Sequence, residues 1–207
     1  MNLFNILHAR SRCAALGVAL SLALLGALPV TGLATPVVAS GKLATESLYS
    51  LSVPLTDAQG KRFDWRDLAG HPVLVTMFYG DCNTACPILL ENLQQTMAQL
   101  KPQAGKLGVL MVSLDPLRDS PASLAQLGQS HHLDPRIFRL AVSTDETHTR
   151  AMAAALNVKY RVLGGGEINH TTRICLIDAN GRIIASSTQL GPAPDPEFLR
   201  QIRQALK

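Results

Sequence analysis

The sequence predicts an α/β domain built on a central mixed sheet, and three observations indicate it. Two nearly continuous apolar runs, at 71–79 and 106–115, are typical of strands that are buried on both faces of a sheet. A stretch with helical periodicity follows each run, so strand and helix alternate along the chain. The pair Asn180-Gly181 separates two further β-rich segments and indicates an antiparallel hairpin.

The other elements are predicted in order around these strands. The segment SVPLTDAQGKRFDW, at 52–65, predicts two short strands joined by a Gln-Gly turn. The helix after the first apolar run carries its large apolar residues on one face and ends near Pro102. After the second run, a helix begins with Ser120 as its cap and Pro121 at its first position.

A third strand, a capped helix and a final amphipathic helix complete the pattern. The strand is IFRLAVS at 137–143, and Asp145 caps the helix that follows it. The segment DPEFLRQIRQALK, at 195–207, predicts the last helix. With a cysteine pair after the first core strand, this order predicts a thioredoxin-like fold: a central mixed β-sheet flanked by helices, with an N-terminal β-hairpin extension.

Residues 1–39 resemble an export signal, and residues 40–207 are predicted to form the single domain. Basic residues precede the apolar run CAALGVALSLALLGAL, no acidic residue occurs before Glu46, and small residues offer cleavage sites after Ala34 or Ala39. An uncleaved membrane anchor is the alternative, since the run approaches the roughly 20 residues that span a bilayer. Either alternative predicts a domain in the periplasm or on the outer face of the inner membrane.

The charge of the chain argues against a nucleic-acid partner. Two of its 19 basic residues, Arg10 and Arg12, and none of its 15 acidic residues lie in the export segment, so the domain itself is nearly balanced. It has no basic patch of the kind that binds phosphate backbones. Three of the four cysteines remain after residue 39, and an odd number argues against a disulfide framework.

Cys82 and Cys86 are the candidate reactive residues. They lie four residues apart where an apolar strand gives way to a helix, a spacing that points two helical sulfurs in the same direction. A helix N-terminus carries positive dipole charge that favours thiolates over thiols. Two such thiolates either form a disulfide reversibly or bind a soft metal.

Three segments resemble the signature blocks of the Sco/SenC copper proteins. They are FYGDCNTACP at 78–87, SLDPLRDSP at 113–121 and INHTTRICLIDANGRI at 168–183. The resemblance extends over the whole domain, although the Pro-Asp pair often found between the family's cysteines is missing and the segment before the last block is short. It implies a copper site formed by Cys82, Cys86 and His170.

The resemblance also implies a function. Members of the family load copper into the dicopper centre of cytochrome c oxidase, and some act as thiol–disulfide reductants. We therefore expect a metallochaperone that binds one copper, as Cu(I) or Cu(II), and delivers it to a cuproprotein, with the copper-bearing oxidase subunit as client. A second periplasmic copper chaperone or a thiol reductant is a further expected partner.

The chemistry of these residues suits copper. Soft thiolates select Cu(I), and an added imidazole still suits copper, whereas a structural zinc site is usually closed by four ligands. His170 follows Gly164, Gly165 and Gly166, and we expect it on a flexible loop that closes and opens the site.

Two other readings of the cysteines stay open. As a thiol–disulfide oxidoreductase, the chain would use Cys82 and Cys86 as its catalytic pair to keep the client's copper-ligand cysteines reduced. The C-x-x-x-C spacing and the absence of any proline between Pro135 and Pro192 argue against a general thioredoxin-type reductase, which has a cis-proline facing its cysteines. The segment before the cysteines is also similar to peroxiredoxins, but the peroxidase pattern around the cysteine is missing.

The remaining polar residues are expected to be structural. Cys175 is predicted to be a buried apolar residue, and Asp81 a solvated loop carboxylate. Asp115 and Asp119 match family positions and are expected to form a turn and cap a helix. No metal role is expected for the other histidines of the domain, which are His71, His131, His132 and His148.

Overall fold

A computed structural model describes residues 47–81, 85–100 and 104–207 of the chain. The predicted signal or anchor at 1–39 and the candidate ligand Cys82 lie outside the described residues. Within the described ranges, no helix is both long enough and apolar enough to cross a membrane.

Among the described residues, seven strands form one sheet and two more form a separate ribbon. The strands are β1 (Pro54–Asp57), β2 (Arg62–Asp64), β3 (Val73–Phe78), β4 (Gly108–Ser113), β5 (Phe138–Ser143), β6 (Tyr160–Val162), β7 (Ile168–His170), β8 (Ile174–Ile177) and β9 (Ile183–Ser187). The large sheet has the order β2-β1-β5-β4-β3-β8-β9, and β6 pairs with β7. The predicted mixed sheet is confirmed, because β3, β4 and β5 run parallel while β8, β9, β1 and β2 are added antiparallel.

Burial explains why β3 and β4 occupy the interior of the sheet. All six residues of β3 and five of the six in β4 are buried. Strands with parallel neighbours need cover on both faces, and unbroken apolar sequence is what such strands require. Thr76 is the polar exception in β3, and its hydroxyl donates to the Arg173 carbonyl at 2.8 Å.

Within the described ranges, four α-helices accompany the sheet, each at its predicted place. They are α1 (Ala85–Gln99), α2 (Pro121–Ser130), α3 (Glu146–Ala155) and α4 (Pro196–Ala205). Ser120 caps α2 in a reciprocal arrangement with Ser123, Asp145 caps α3 and Asp195 caps α4, so each cap satisfies one or two of the orphan N–H groups of its helix.

Both predicted hairpins are confirmed. The N-terminal hairpin pairs β1 with β2. Because β1 also pairs with β5, this hairpin forms one side of the seven-stranded sheet. The second hairpin, β8 with β9, turns through Gly181, whose φ of 80° lies in the left-handed region that glycine adopts without strain.

The segment before the last hairpin differs from the prediction. The expectation that His170 lies on a flexible loop is wrong: His170 ends β7 and pairs with Tyr160 of β6. The three glycines form the tight turn between these strands, with Gly165 and Gly166 at positive φ. We call residues 160–170 the histidine arm.

Candidate metal centre

Strand register brings three separate segments to one edge of the sheet. Phe78 ends β3 directly beside Ser113, which ends β4, because the two strands are parallel and in register. β8 runs antiparallel to β3, with Ile174 opposite Thr76, so β8 begins at the same edge. The loop after β3, the loop after β4 and the residues before β8 therefore meet there.

Cys86 lies in the first turn of α1 and is buried. Only 2% of the residue is exposed, and its Sγ donates to the backbone carbonyl of Tyr79 at 3.6 Å. This contact spans the bend between β3 and α1, so the sulfur faces the strand from which the loop departs. The prediction that Cys86 opens the helix is confirmed.

Tyr79 also contacts the second candidate ligand. Its buried ring lies edge-to-face against the His170 imidazole, with centroids 5.8 Å apart and an angle of 82° between the planes. T-shaped pairs of this kind place the positive edge of one ring against the negative face of the other. Cys86 and His170, far apart in sequence, thus touch the same residue.

The environment of His170 favours the neutral imidazole. Burial lowers the pKa of His170 below its ordinary value of 6.5, and a backbone contact with Thr171 opposes this only in part. The Nδ1 atom lies 3.3 Å from the Thr171 carbonyl. Since a carbonyl oxygen only accepts, this contact requires the proton on Nδ1 and leaves the lone pair of the neutral ring on Nε2.

Backbone contacts anchor the base of the histidine arm. The Thr171 amide donates to the Lys159 carbonyl at 2.8 Å, and the Lys159 amide donates to the Thr171 hydroxyl at 3.0 Å. The bond from Thr76 to Arg173 then joins the chain after the arm to β3. The position of His170 is therefore set by the strand that also leads to the cysteines.

Asp119 joins the loop after β4 to the loop that leads to the cysteines. Its Oδ2 accepts from the Gly80 amide at 2.9 Å and from the Ser113 hydroxyl. Burial raises the pKa of Asp119, while these two hydrogen bonds act in the opposite direction. The expectation that Asp119 caps a helix is wrong, because Ser120 takes that place and Asp119 instead holds the backbone two residues before Cys82.

Comparison with known proteins identifies the family of this chain. The family model described as SCO1/SenC matches residues 44–207, most of the chain. The chain belongs to the SCO1/SenC family. Its curated relatives include the SCO1 protein homolog of Bacillus subtilis, 20% identical over 70% of this chain and 77% of the relative. The mitochondrial SCO2 homolog of Bos taurus is 33% identical over 49% of this chain and 40% of that protein.

Solved structures of the family share the fold. A SCO1/SenC family lipoprotein from Bacillus anthracis superposes with a TM-score of 0.72 at 20% identity, over 82% of this chain and all of that one. Copper-bound ScoI from Bradyrhizobium japonicum gives 0.62 at 25% identity, over 75% and 98%. BsSco, from a study of a disulfide switch in a Sco-family cytochrome c oxidase assembly protein, gives 0.64 at 15% identity, over 75% and 90%.

In this SCO1/SenC chain, two of the three predicted ligands contact the same residue. Cys86 contacts the Tyr79 carbonyl and His170 contacts the Tyr79 ring, whereas Cys82 lies outside the described residues. Among the described residues, no group of three or more His, Cys, Asp or Glu side chains could hold a metal ion. The ligand set with Cys82 thus remains a prediction. Cys175 is buried in β8, as predicted.

Sequence reasoning did not identify two residues of this edge. Tyr79 falls within the apolar run at 71–79, and Arg118 within the second block, where its charge between Asp115 and Asp119 was a usable signal. The contact from Asp119 to Gly80 could not be expected from local sequence, since it depends on the pairing of β3 with β4.

We expect the His170 imidazole of the reduced, copper-free protein to titrate below 6.5, because burial disfavours its charged form. Since the unfolded chain then binds the proton more readily, His170 should lower the stability of the fold as the pH falls through about 6.5. An NMR pH titration of the ring signals, with the urea-unfolded protein as reference, measures this. A midpoint at or above that of the unfolded protein would contradict the burial of the ring.

Proposed function

We propose that this SCO1/SenC protein is a copper carrier that binds one copper ion through Cys82, Cys86 and His170 and hands it to a cuproprotein. The observation that carries the proposal is the shared contact with Tyr79, which places the Cys86 sulfur and the His170 ring beside one residue. Cys82 is added from the family motif, four residues before Cys86.

The chemistry of the donors supports copper as the cargo. Two thiolates and one imidazole form a soft set that suits Cu(I), and the nitrogen donor also accommodates Cu(II). Burial lowers the pKa of the His170 imidazole and so favours the neutral form, which is the form that binds a metal. Copper-bound structures of the Bradyrhizobium japonicum and yeast relatives are consistent with this cargo.

The position of His170 supports delivery over permanent storage. The histidine arm is a two-stranded ribbon separate from the main sheet, and isolated two-stranded ribbons are marginally stable. Cys86, by contrast, is held by a long helix and a fully buried strand. A site with one firm half and one movable half can release its ion without unfolding the domain.

We further propose the dicopper centre of cytochrome c oxidase as the client. The support is the assembly role by which BsSco is described, carried over as a family resemblance. A second periplasmic copper chaperone or a thiol reductant would supply the copper or the electrons that keep the cysteines reduced.

The alternative function is reduction of the client's copper-ligand cysteines. The disulfide switch identified in BsSco favours it, since the same two sulfurs would serve both roles. In that reaction one thiolate attacks the client disulfide and forms a mixed disulfide. The other thiolate resolves it, so that Cys82 and Cys86 become linked by a disulfide and the client dithiol is freed. The segment before β8 contains no proline, so the chain lacks the cis-proline that faces the cysteines of thioredoxin-type reductases. This segment consists of Thr171, Thr172 and Arg173.

Export is part of the proposal. We place residues 40–207 in the periplasm or on the outer face of the inner membrane, delivered there by residues 1–39 as a cleaved signal or retained anchor. The N-terminal sequence of the protein purified from a membrane and a soluble fraction should begin after Ala34 or Ala39, or at the initiating methionine. Recovery of uncleaved protein in the cytosolic fraction would contradict export.

We expect Cys82→Ala or Cys86→Ala to abolish tight copper binding. His170→Ala should weaken binding by more than the roughly 10–100-fold that loss of an outer partner costs, and should perturb Cu(II) more than Cu(I), because two thiolates still suit the softer ion. Copper stoichiometry, Cu(II)-thiolate absorption and free thiols are measured together on the reduced protein.

Matched variants control this experiment. Cys175→Ala removes a thiol from the buried strand β8, and His71→Ala removes an exposed histidine outside the signature blocks. Both should bind copper as the wild type does. If His170→Ala kept the wild-type Cu(II) spectrum and affinity, the assignment of His170 as a ligand would be wrong.

The two functions separate in a transfer experiment with an isolated oxidase dicopper domain. We expect the copper-loaded protein to transfer copper to the reduced domain, whose absorption then changes, at a rate that depends on Cys86. Rapid reduction of the domain's disulfide by the copper-free protein, with no copper transfer from the loaded form, would replace the carrier with a dedicated reductant.

A further inference from the structure

The tip of the histidine arm depends on few contacts with the rest of the protein. Its base is anchored through Thr171 and Ile168 is buried, but Val162 is 57% exposed. Three consecutive glycines come after Leu163, and glycine gives the backbone more conformational freedom than any other residue. The contacts that hold this turn therefore strongly affect the position of the arm and of His170 at its end.

Arg118 holds the turn. Its guanidinium donates to the Gly166 carbonyl and forms an ion pair with the Asp115 carboxylate. Asp115 is itself buried, and its amide donates to the Ser113 hydroxyl at 2.9 Å. A planar guanidinium oriented by a fixed carboxylate is a rigid donor, unlike a lysine ammonium.

Gly166 is adapted to this contact. Its φ of 86° favours glycine, and a Cβ atom at this position would collide with the Arg118 guanidinium. Gly164 and Gly165 have open space where a Cβ would lie. Close approach of the arginine is therefore specific to one of the three glycines.

The neighbouring residue contacts the other half of the site. Asp119 accepts from the Gly80 amide, and a Cβ at Gly80 would meet the Asp119 carboxylate. The loop between β4 and α2, residues 114–120, thus contacts the turn of the histidine arm through Arg118 and the approach to the cysteines through Asp119.

We propose that Arg118 is a positioning residue that holds the histidine arm so that the His170 ring stays against Tyr79, and that its release of the Gly166 carbonyl is the step that lets His170 leave the metal. The second part rests on the proposed copper function. The first part concerns the copper-free protein and is tested without metal.

The first measurement is amide exchange and NMR of the copper-free protein with Arg118→Ala. The Leu163 amide, which donates to the Glu167 carbonyl at 2.7 Å in the turn, reports on the arm. Loss of one charge-assisted hydrogen bond should speed its exchange by about tenfold or more, while amides of β3 keep their protection. The ring signals of His170 should move towards those of the unfolded protein.

Three variants separate positioning from general stability. Arg118→Lys should restore part of the protection, because the ammonium keeps the charge but not the forked geometry. Gly166→Ala should reproduce Arg118→Ala from the other side of the contact. Leu117→Ala, at a side chain 77% exposed in the same loop, should behave as wild type.

The second measurement is release of Cu(II) to a chelator, which should be faster in Arg118→Ala by a factor similar to that for arm exchange. The proposal would be overturned if amide exchange and the His170 signals were unchanged in Arg118→Ala and Gly166→Ala. It would also be overturned if Arg118→Ala unfolded generally and Arg118→Lys showed no selective loosening of the arm. A loosened arm in a protein that binds no copper would support the positioning role and refute the carrier function instead.

Discussion

The register of β3 between β4 and β8 is the constraint on which the site depends. Parallel pairing with β4 places the ends of both strands, Phe78 and Ser113, side by side, and antiparallel pairing with β8 brings its first residue to the same edge. A shift of one residue would turn every side chain of β3 to the opposite face. Such a shift would disrupt the close packing on both faces of β3 and separate the Thr76 hydroxyl from the Arg173 carbonyl, so it is costly and the edge is held firmly.

Tyr79 links the two described candidate ligands at this edge. Its carbonyl accepts a hydrogen bond from the Cys86 sulfur, and its ring packs against the His170 imidazole. One buried residue therefore contacts both the helix and the ribbon. Because Tyr79 follows β3 directly, the positions of both contacts depend on that strand. The imidazole is thereby held against the same residue that the Cys86 sulfur contacts, so that a bound ion would have less ordering to impose.

The loop between β4 and α2 adds a polar layer around this centre. Asp115 is buried and Asp119 is half-buried, and each is matched by donors: Arg118 for Asp115, and Gly80 and Ser113 for Asp119. Buried carboxylates are tolerated only when they are paired in this way. The same loop thus fixes the chain on both sides of the site, which accounts for the presence of three charged residues within five positions of the second signature block.

The sequence by itself determined the elements and the identity of the candidate ligands. Apolar runs, caps such as Ser120 and turn pairs such as Asn180-Gly181 are short-range signals, so the sheet strands, the helices and both hairpins were predicted from them. Tertiary structure decided that His170 ends a strand, that Tyr79 contacts both Cys86 and His170, and that Arg118 reaches the arm. These contacts join residues far apart in sequence, and they exist only after strand pairing and packing have set the distance between them.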